Sequence, residues 1–429
     1  MTKDELLSNL PAEFTKDLVP EIYNLLVESK KTIVVLDDDP TGTQTVFDVP
    51  VLTDLNPDLI KDAIDEAPPV LFLLTNSRSL TPTETTTLHQ SLGEILKEFQ
   101  DDIIVISRSD STLRGHFPLE TDTLRHALGI PEAPTLFIPF CKTTNALTVN
   151  DTHYVIADDI ATPANLNLKP GTLAEARSLS LADLRSGDIT EKLAQLPDSS
   201  NCIVNAASLT DLNVLSLALL KSDRRFIIRS AASFVQSLAG IVSRPPLDPW
   251  QLQDLDPNPN GGLIIIGSHL PTTTAQLNHL LKNAPNLVAI KLSVPDIVNC
   301  TFNLENAIAA IQEALTSGKT VALFTSRKRS DGEENPALSR RVSQTLVDIV
   351  KEITVRPSFF IAKGGITSSE IATKGLGVKQ AMVLGQILPG VSVWTIGNET
   401  RHPGLAYVVF PGNVGSADAL TQALQKLTS

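Results

Sequence analysis

Residues 33–46, IVVLDDDPTGTQTV, run from four apolar residues into Asp37, Asp38 and Asp39 and then into Pro40, Thr41 and Gly42. A short apolar run closed by turn residues reads as a buried strand. In open α/β sheets, ligands bind outside the carboxyl ends of the strands, where this triple acid falls. Three adjacent carboxylates repel one another, so stability alone does not favour them. They read as a general base or a divalent-metal ligand, against the plainer alternative of an acidic turn with Asp39 capping the next segment.

The same construction recurs twice further along the chain. Residues 103–115, IIVISRSDSTLRG, end in Arg108, Asp110, Ser111, Thr112, Arg114 and Gly115, and residues 70–80, VLFLLTNSRSL, end in Thr75, Asn76, Ser77 and Arg78. Guanidinium groups clamp carboxylates and phosphates bidentately, so these strand ends predict a pocket for an anion that carries hydroxyls. Further strands are expected at 135–138 and 202–204, with helices over 82–99 (Leu88, Leu92, Ile95, Leu96 and Phe99 on one face) and 119–128. Strands alternating with helices indicate an α/β fold with a largely parallel sheet.

The pattern stops at residues 243–262, SRPPLDPWQLQDLDPNPNGG, which hold five prolines and no apolar periodicity. A second α/β series follows, with strands expected at 263–266, 287–291, 320–324, 358–362 and 391–396, and helices at 272–281 and 304–315. A chain of 429 residues exceeds one ordinary core. The expectation is therefore two α/β lobes, residues 1–245 and 262–429, joined by a linker at 246–261, with an interdomain cleft where a ligand sits.

Composition narrows the function. Apolar residues are 42% and charged residues 19%, which describes a globular protein. The net charge of −13 and an aromatic content of 4% argue against nucleic acid as a partner. No apolar run approaches the roughly 18 residues of a membrane span, and the first ten residues lack a signal-peptide pattern, so no membrane partner is expected and the cytoplasm is the expected location. Cys141, Cys202 and Cys300 form no CxxC pair and the seven histidines show no HxxxH spacing, so no zinc site is expected.

Three glycine turns in the second series carry the other chemistry. Gly267 and Ser268 follow the strand of GGLIIIGSHLPTTTAQL, Gly364, Gly365, Ile366 and Thr367 that of FFIAKGGITSSEI, and Gly412, Asn413 and Gly415 that of VVFPGNVGSADAL. Strand–glycine–helix turns aim backbone N–H groups at an anion. Neither a Walker P-loop nor GxGxxG is present, and GxSxG is absent too. Residues 326–341, SRKRSDGEENPALSRR, read as a solvated loop, or as a flap over a nucleotide.

Taken together these motifs resemble the four-carbon acid sugar kinase family, formerly a family of unknown function. Asp38, Asp39, Thr41 and Gly42 match its first acidic turn. Arg108, Asp110, Ser111, Thr112, Leu113, Arg114 and Gly115 match its DSTLRG turn, and the glycine turns match its nucleotide-binding ones. Departures are Asp37 for Ala, His116 for Asn, Ile366 for an acidic residue, Phe410 for Lys, and Thr144 and Asn145 near an expected Gly-Arg pair.

The resemblance implies a kinase that uses ATP and Mg²⁺ to phosphorylate a small acid sugar. Asp38 or Asp39 would take the hydroxyl proton. Arg78, Arg108 and Arg114 would hold the carboxylate, with Asp37, Thr41, Gly42, Asp110, Ser111, Thr112 and Gly115 around the sugar. Gly267, Ser268, Gly364, Gly365, Ile366, Thr367, Gly412, Asn413 and Gly415 would hold the nucleotide. Metal ligands stay unassigned, and a homo-oligomer stays open. A non-catalytic nucleotide or anion sensor and a dinucleotide oxidoreductase are the alternatives.

Overall fold

Every residue of the strand Thr32–Asp37 is buried, as expected of a parallel strand covered on both faces, which has no solvent side to make polar. The structure is a computed structural model describing residues 1–112, 114–164, 173, 175–253, 258–326 and 336–429. It divides into two compact units, Met1–Ser243 and Arg244–Ser429.

The first unit contains β1 (Thr32–Asp37), β2 (Val49–Leu52), β3 (Val70–Leu74), β4 (Ile103–Arg108), β5 (Thr135–Ile138), β6 (Ala146–Val149), β7 (Thr152–Ala157), β8 (Ile160–Pro163), β9 (Arg177–Leu179), β10 (Asn201–Val204) and β11 (Ile227–Ser230). Eight of these lie side by side in the order β2, β3, β1, β4, β11, β5, β10, β9, all pairs parallel. The helices Pro82–Leu96 and Leu119–Ala127 put Leu92, Leu96 and Leu124 into the core that covers β1 and β3. Strands β6, β7 and β8 form a separate antiparallel sheet. Its hairpins turn on Asn150 and Asp151, then Asp158 and Asp159, all with positive φ, the conformation that two-residue hairpin loops require.

The second unit contains β12 (Leu263–Ile266), β13 (Val288–Leu292), β14 (Val321–Thr325), β15 (Phe360–Lys363), β16 (Gln380–Leu388), β17 (Val391–Ile396) and β18 (Ala406–Phe410). Their order is β13, β14, β12, β15, β18, β17, β16. The first five run parallel, and β17 is antiparallel to both β18 and β16. The fold is thus α/β with largely parallel strands in two domains. Among the described residues no helix is long and apolar enough to cross a membrane.

The stretch read as a linker contains a helix, Pro249–Gln253. Leu252 is buried in the second unit's core beside Ile264 and Leu420, and Leu247 is tied down by Gln386 and Lys426. A five-residue helix is too short to show periodicity. Residues 254–257 of the stretch lie outside the described residues, as do residues 327–335 of the basic-then-acidic run. Leu252→Ala is expected to lower the stability of this unit by about 2–4 kcal/mol, the worth of a buried leucine. An exposed linker leucine would change it by less than about 0.5 kcal/mol, a difference read from the midpoint of guanidinium unfolding.

Candidate functional site

In the first unit β1 lies between β3 and β4. The chain leaves β1 for β2 and β3 on one side and continues with β4 on the other, which makes the carboxyl end of β1 a topological switch point. Asp37, Asp38 and Asp39 stand there, 1%, 3% and 7% exposed. Their repulsion is cancelled by arginines delivered from the neighbouring strand ends. Arg78 donates to Asp38 through Nε (3.2 Å) and Nη2 (2.8 Å) and to Asp39 through Nη1 (2.9 Å). Arg108 Nη1 donates to Asp37 Oδ1 (2.8 Å) and to the Asp39 carbonyl (3.2 Å).

The three acids are not equivalent. Burial pushes the Asp37 carboxyl up to about 7, against the pull of Arg108, and among the described residues its Oδ2 has no hydrogen-bond partner. A Cβ on Gly42 would lie 2.0 Å from that oxygen, so only glycine fits this close approach. Burial also acts to raise Asp39, but the Arg78 charge and the Thr41 N–H outweigh it and hold this carboxyl below the ordinary aspartate value.

The DSTLRG turn is organised by Asp110. Its carboxylate accepts from the Thr112 N–H (2.9 Å), the Thr112 hydroxyl (3.1 Å) and the Arg114 N–H (3.2 Å), and it pairs with Arg114 Nε. The Ser109 hydroxyl donates to Asp38 Oδ2 at 2.5 Å, which links this turn to the acidic one. Ser111 is buried at the same turn, Gly115 packs 3.2 Å from Asp38 Oδ2, measured from a Cβ built on it, and Leu113 lies outside the described residues.

This arrangement alters the sequence reading of the arginines. Arg78 and Arg108, assigned to a substrate carboxylate, are engaged by the chain's own carboxylates. Arg114 also pairs with a carboxylate, that of Asp110, but 56% of its side chain is exposed, against 18% for Arg78 and 4% for Arg108. Sequence reasoning also missed a second buried cluster. Arg229 of β11 pairs in register with Ser107 of β4. Its Nη1 donates to Ser107 Oγ (2.8 Å) and Glu120 Oε2 (2.7 Å), while the Ser77 hydroxyl donates to Glu120 Oε1 (2.5 Å). The available signal was RRFIIRSA, a strand ending in Arg-Ser as IIVISRSD does.

In the second unit β12, β15 and β18 are neighbours, so the three glycine turns meet at adjacent carboxyl ends. The Ser268 N–H donates to the Lys363 carbonyl (3.3 Å) and the Gly364 N–H to the Phe410 carbonyl (2.8 Å). A Cβ on Gly267 would come within 2.3 Å of Thr367 Oγ1, so the first two turns can approach this closely only through glycine. Ile366 is 60% exposed, so most of it faces solvent.

Glycine turns gathered at the carboxyl ends of three adjacent parallel strands fit the phosphates of a nucleotide. A protein cage for Mg²⁺ does not fit in the same way. The carboxylates of the acid triad are engaged by Arg78, Arg108 and Ser109, and among the described residues no three His, Cys, Asp or Glu converge on a metal position.

Residues 33–238 match the profile of a sugar-binding N-terminal domain, and residues 263–420 that of a nucleotide-binding C-terminal domain. The chain belongs to the four-carbon acid sugar kinase family. No curated protein matches it. Among solved structures, a Haemophilus influenzae protein of the DUF1537 family is 17% identical, covering 92% of this chain and 100% of its own, with a TM-score of 0.59. A Salmonella typhimurium LT2 protein described as a tRNA synthase is 15% identical, covering 92% of this chain and 98% of its own, with a TM-score of 0.65. At such identities the likeness is one of fold. In this acid sugar kinase family member, the acid–arginine cluster lies within the sugar-binding domain and the glycine turns within the nucleotide-binding domain.

Proposed function

We propose that this chain is an ATP-dependent kinase that phosphorylates a hydroxyl of a small acid sugar, a four-carbon one such as threonate, erythronate or an oxo-tetronate. The observation that carries this reading is the pairing, in one chain, of a sugar-binding domain with charged strand ends and a nucleotide-binding domain whose three glycine turns meet on adjacent strands. Phosphoryl transfer needs positioning and charge neutralisation more than covalent chemistry. ATP, when bound, supplies the phosphoryl group and carries Mg²⁺ on its phosphates. Ser268, Gly365, Gly412 and Gly415 cradle those phosphates.

On the sugar side, Arg114 holds the acid's carboxylate and Asp39 accepts the hydroxyl proton, with Asp38 as the neighbouring acid. In a loose transition state the hydroxyl loses its proton late, so a carboxylate of low basicity that orients the O–H is sufficient. Arg78 keeps Asp39 ionised for that role.

Coupled ADP release across threonate, erythronate and their oxo derivatives tests the proposal, which predicts turnover with at least one of them. ATP binding without turnover on any member would instead favour the nucleotide sensor. Arg114→Lys is expected to weaken acid-sugar binding by about 1.5–3 kcal/mol, because a point charge cannot reproduce the planar fork, with ATP affinity unchanged. Equal loss of both affinities in calorimetry would make the residue structural.

A further inference from the structure

The turn of residues 411–416 is held from below by three side chains that are 0% exposed: Lys363, Thr273 and Gln276. Lys363 Nζ donates to the Pro411 carbonyl (2.5 Å) and Thr273 Oγ1 to the Gly412 carbonyl (2.8 Å). Gln276 Nε2 shares its two N–H groups among the carbonyls of Val414 (2.9 Å), Gly415 (3.2 Å) and Ser416 (2.9 Å). In a planar trans peptide the C=O and the following N–H point in opposite directions. Anchoring these carbonyls inward therefore turns the N–H groups of Gly412, Asn413, Gly415 and Ser416 outward. None of those N–H groups has a partner among the described residues.

We propose that Lys363, Thr273 and Gln276 are positioning residues that fix this turn as a nest for the phosphate chain of the nucleotide. The inference rests on the nucleotide-kinase reading above and adds the residues that set the polarity of its cradle. Successive outward N–H groups form anion-binding concavities, and an orientation set before the ligand arrives spares the cost of ordering it on binding. Stability does not explain the lysine. Among the described residues it has no carboxylate partner, its Nζ lies 3.9 Å from the centre of the Phe410 ring, and burial pushes its amine down to about 6. A methionine would fill the same volume without desolvating an amine. Near neutrality the uncharged amine still has N–H groups to donate, so the anchor persists.

The test uses the full chain and its Lys363→Met and Gln276→Met variants. ATP and inorganic tripolyphosphate are titrated by calorimetry, and adenosine is followed by saturation-transfer NMR. Each variant is expected to bind ATP and tripolyphosphate roughly 10- to 100-fold more weakly, the worth of one or two hydrogen bonds to a charged group, with adenosine binding unchanged. Lys363→Met is also expected to melt at or above the native temperature at pH 6. That gain shrinks as pH rises toward 10.5, the ordinary lysine value, because the native chain binds fewer protons than its unfolded state across that interval. Tripolyphosphate affinity unchanged in both variants would overturn the inference, as would adenosine affinity falling in parallel with a lowered melting temperature. A native chain that binds neither ATP nor tripolyphosphate would remove the nucleotide reading itself, and the inference with it.

Discussion

Asp39→Asn is expected to lower kcat by roughly 10²- to 10⁴-fold, the usual worth of a positioned base, while leaving ATP affinity intact. The amide keeps the shape of the carboxyl and can still accept the Thr41 N–H, now 2.9 Å from Oδ1. It loses the charge that meets Arg78 Nη1 and the lone pairs that would take the hydroxyl proton.

The pH profile separates Asp39 from its neighbour. Asp39 is held below its ordinary value of 3.8, so protonation of Asp39 affects the rate only in strong acid. Asp37 titrates at about 7. A neutral-pH limb in kcat/KM that disappears in Asp37→Asn would transfer the base role to Asp37. Loss of ATP affinity with kcat intact at saturation would remove the base assignment from Asp39.

Arg229→Met is expected to destabilise the first unit by about 3–5 kcal/mol, because it strands a buried charge rather than deleting a pair. Arg229 and Glu120 have side chains only 1% exposed. In the native chain burial acts to raise the Glu120 carboxyl, but the Arg229 charge, with help from His89 and Ser77, holds it below its ordinary 4.5. Native stability from this group is therefore present above pH 4.5 and lost as pH falls through the lower folded value. Without Arg229, burial dominates and the carboxyl rises above 4.5.

The penalty in the variant is then fully present at pH 8, diminishes as the solution is acidified through the raised folded value, and levels off only well below 4.5, where Glu120 is neutral in both states. For a unit of this size the melting temperature should fall by on the order of 10 °C at pH 8. Arg229→Met combined with Glu120→Met should recover most of the loss, since two apolar side chains replace the pair. A single variant within about 1 kcal/mol of native at pH 8 would mean that water or rearrangement satisfies Glu120, and that the pair is not the brace described.

The strands that end at the candidate sites are legible in the sequence because a parallel strand buried on both faces must be a continuous apolar run, and its polar residues must gather where it ends. Asp37, Arg108, Gly267, Gly364 and Gly412 are all found this way. Strands β6, β7 and β8 are not, because they are short and turn on Asn-Asp and Asp-Asp pairs in place of a stronger Asn-Gly signal. Sequence by itself thus determined the α/β class, the two domains and the residues at the ends of β1, β3, β4, β12, β15 and β18.

Which of those residues touch was decided only by the tertiary structure. Arg78 reaches Asp38 across 40 positions of chain, and Arg229 reaches Ser107 across 122, because sheet order rather than sequence order makes their strands neighbours. Lys363 is an ordinary strand-end lysine by sequence, and becomes a buried anchor only because β15 lies between β12 and β18. Strand-end chemistry is local and period-bound, whereas charge pairing and desolvation depend on which strands the sheet sets side by side.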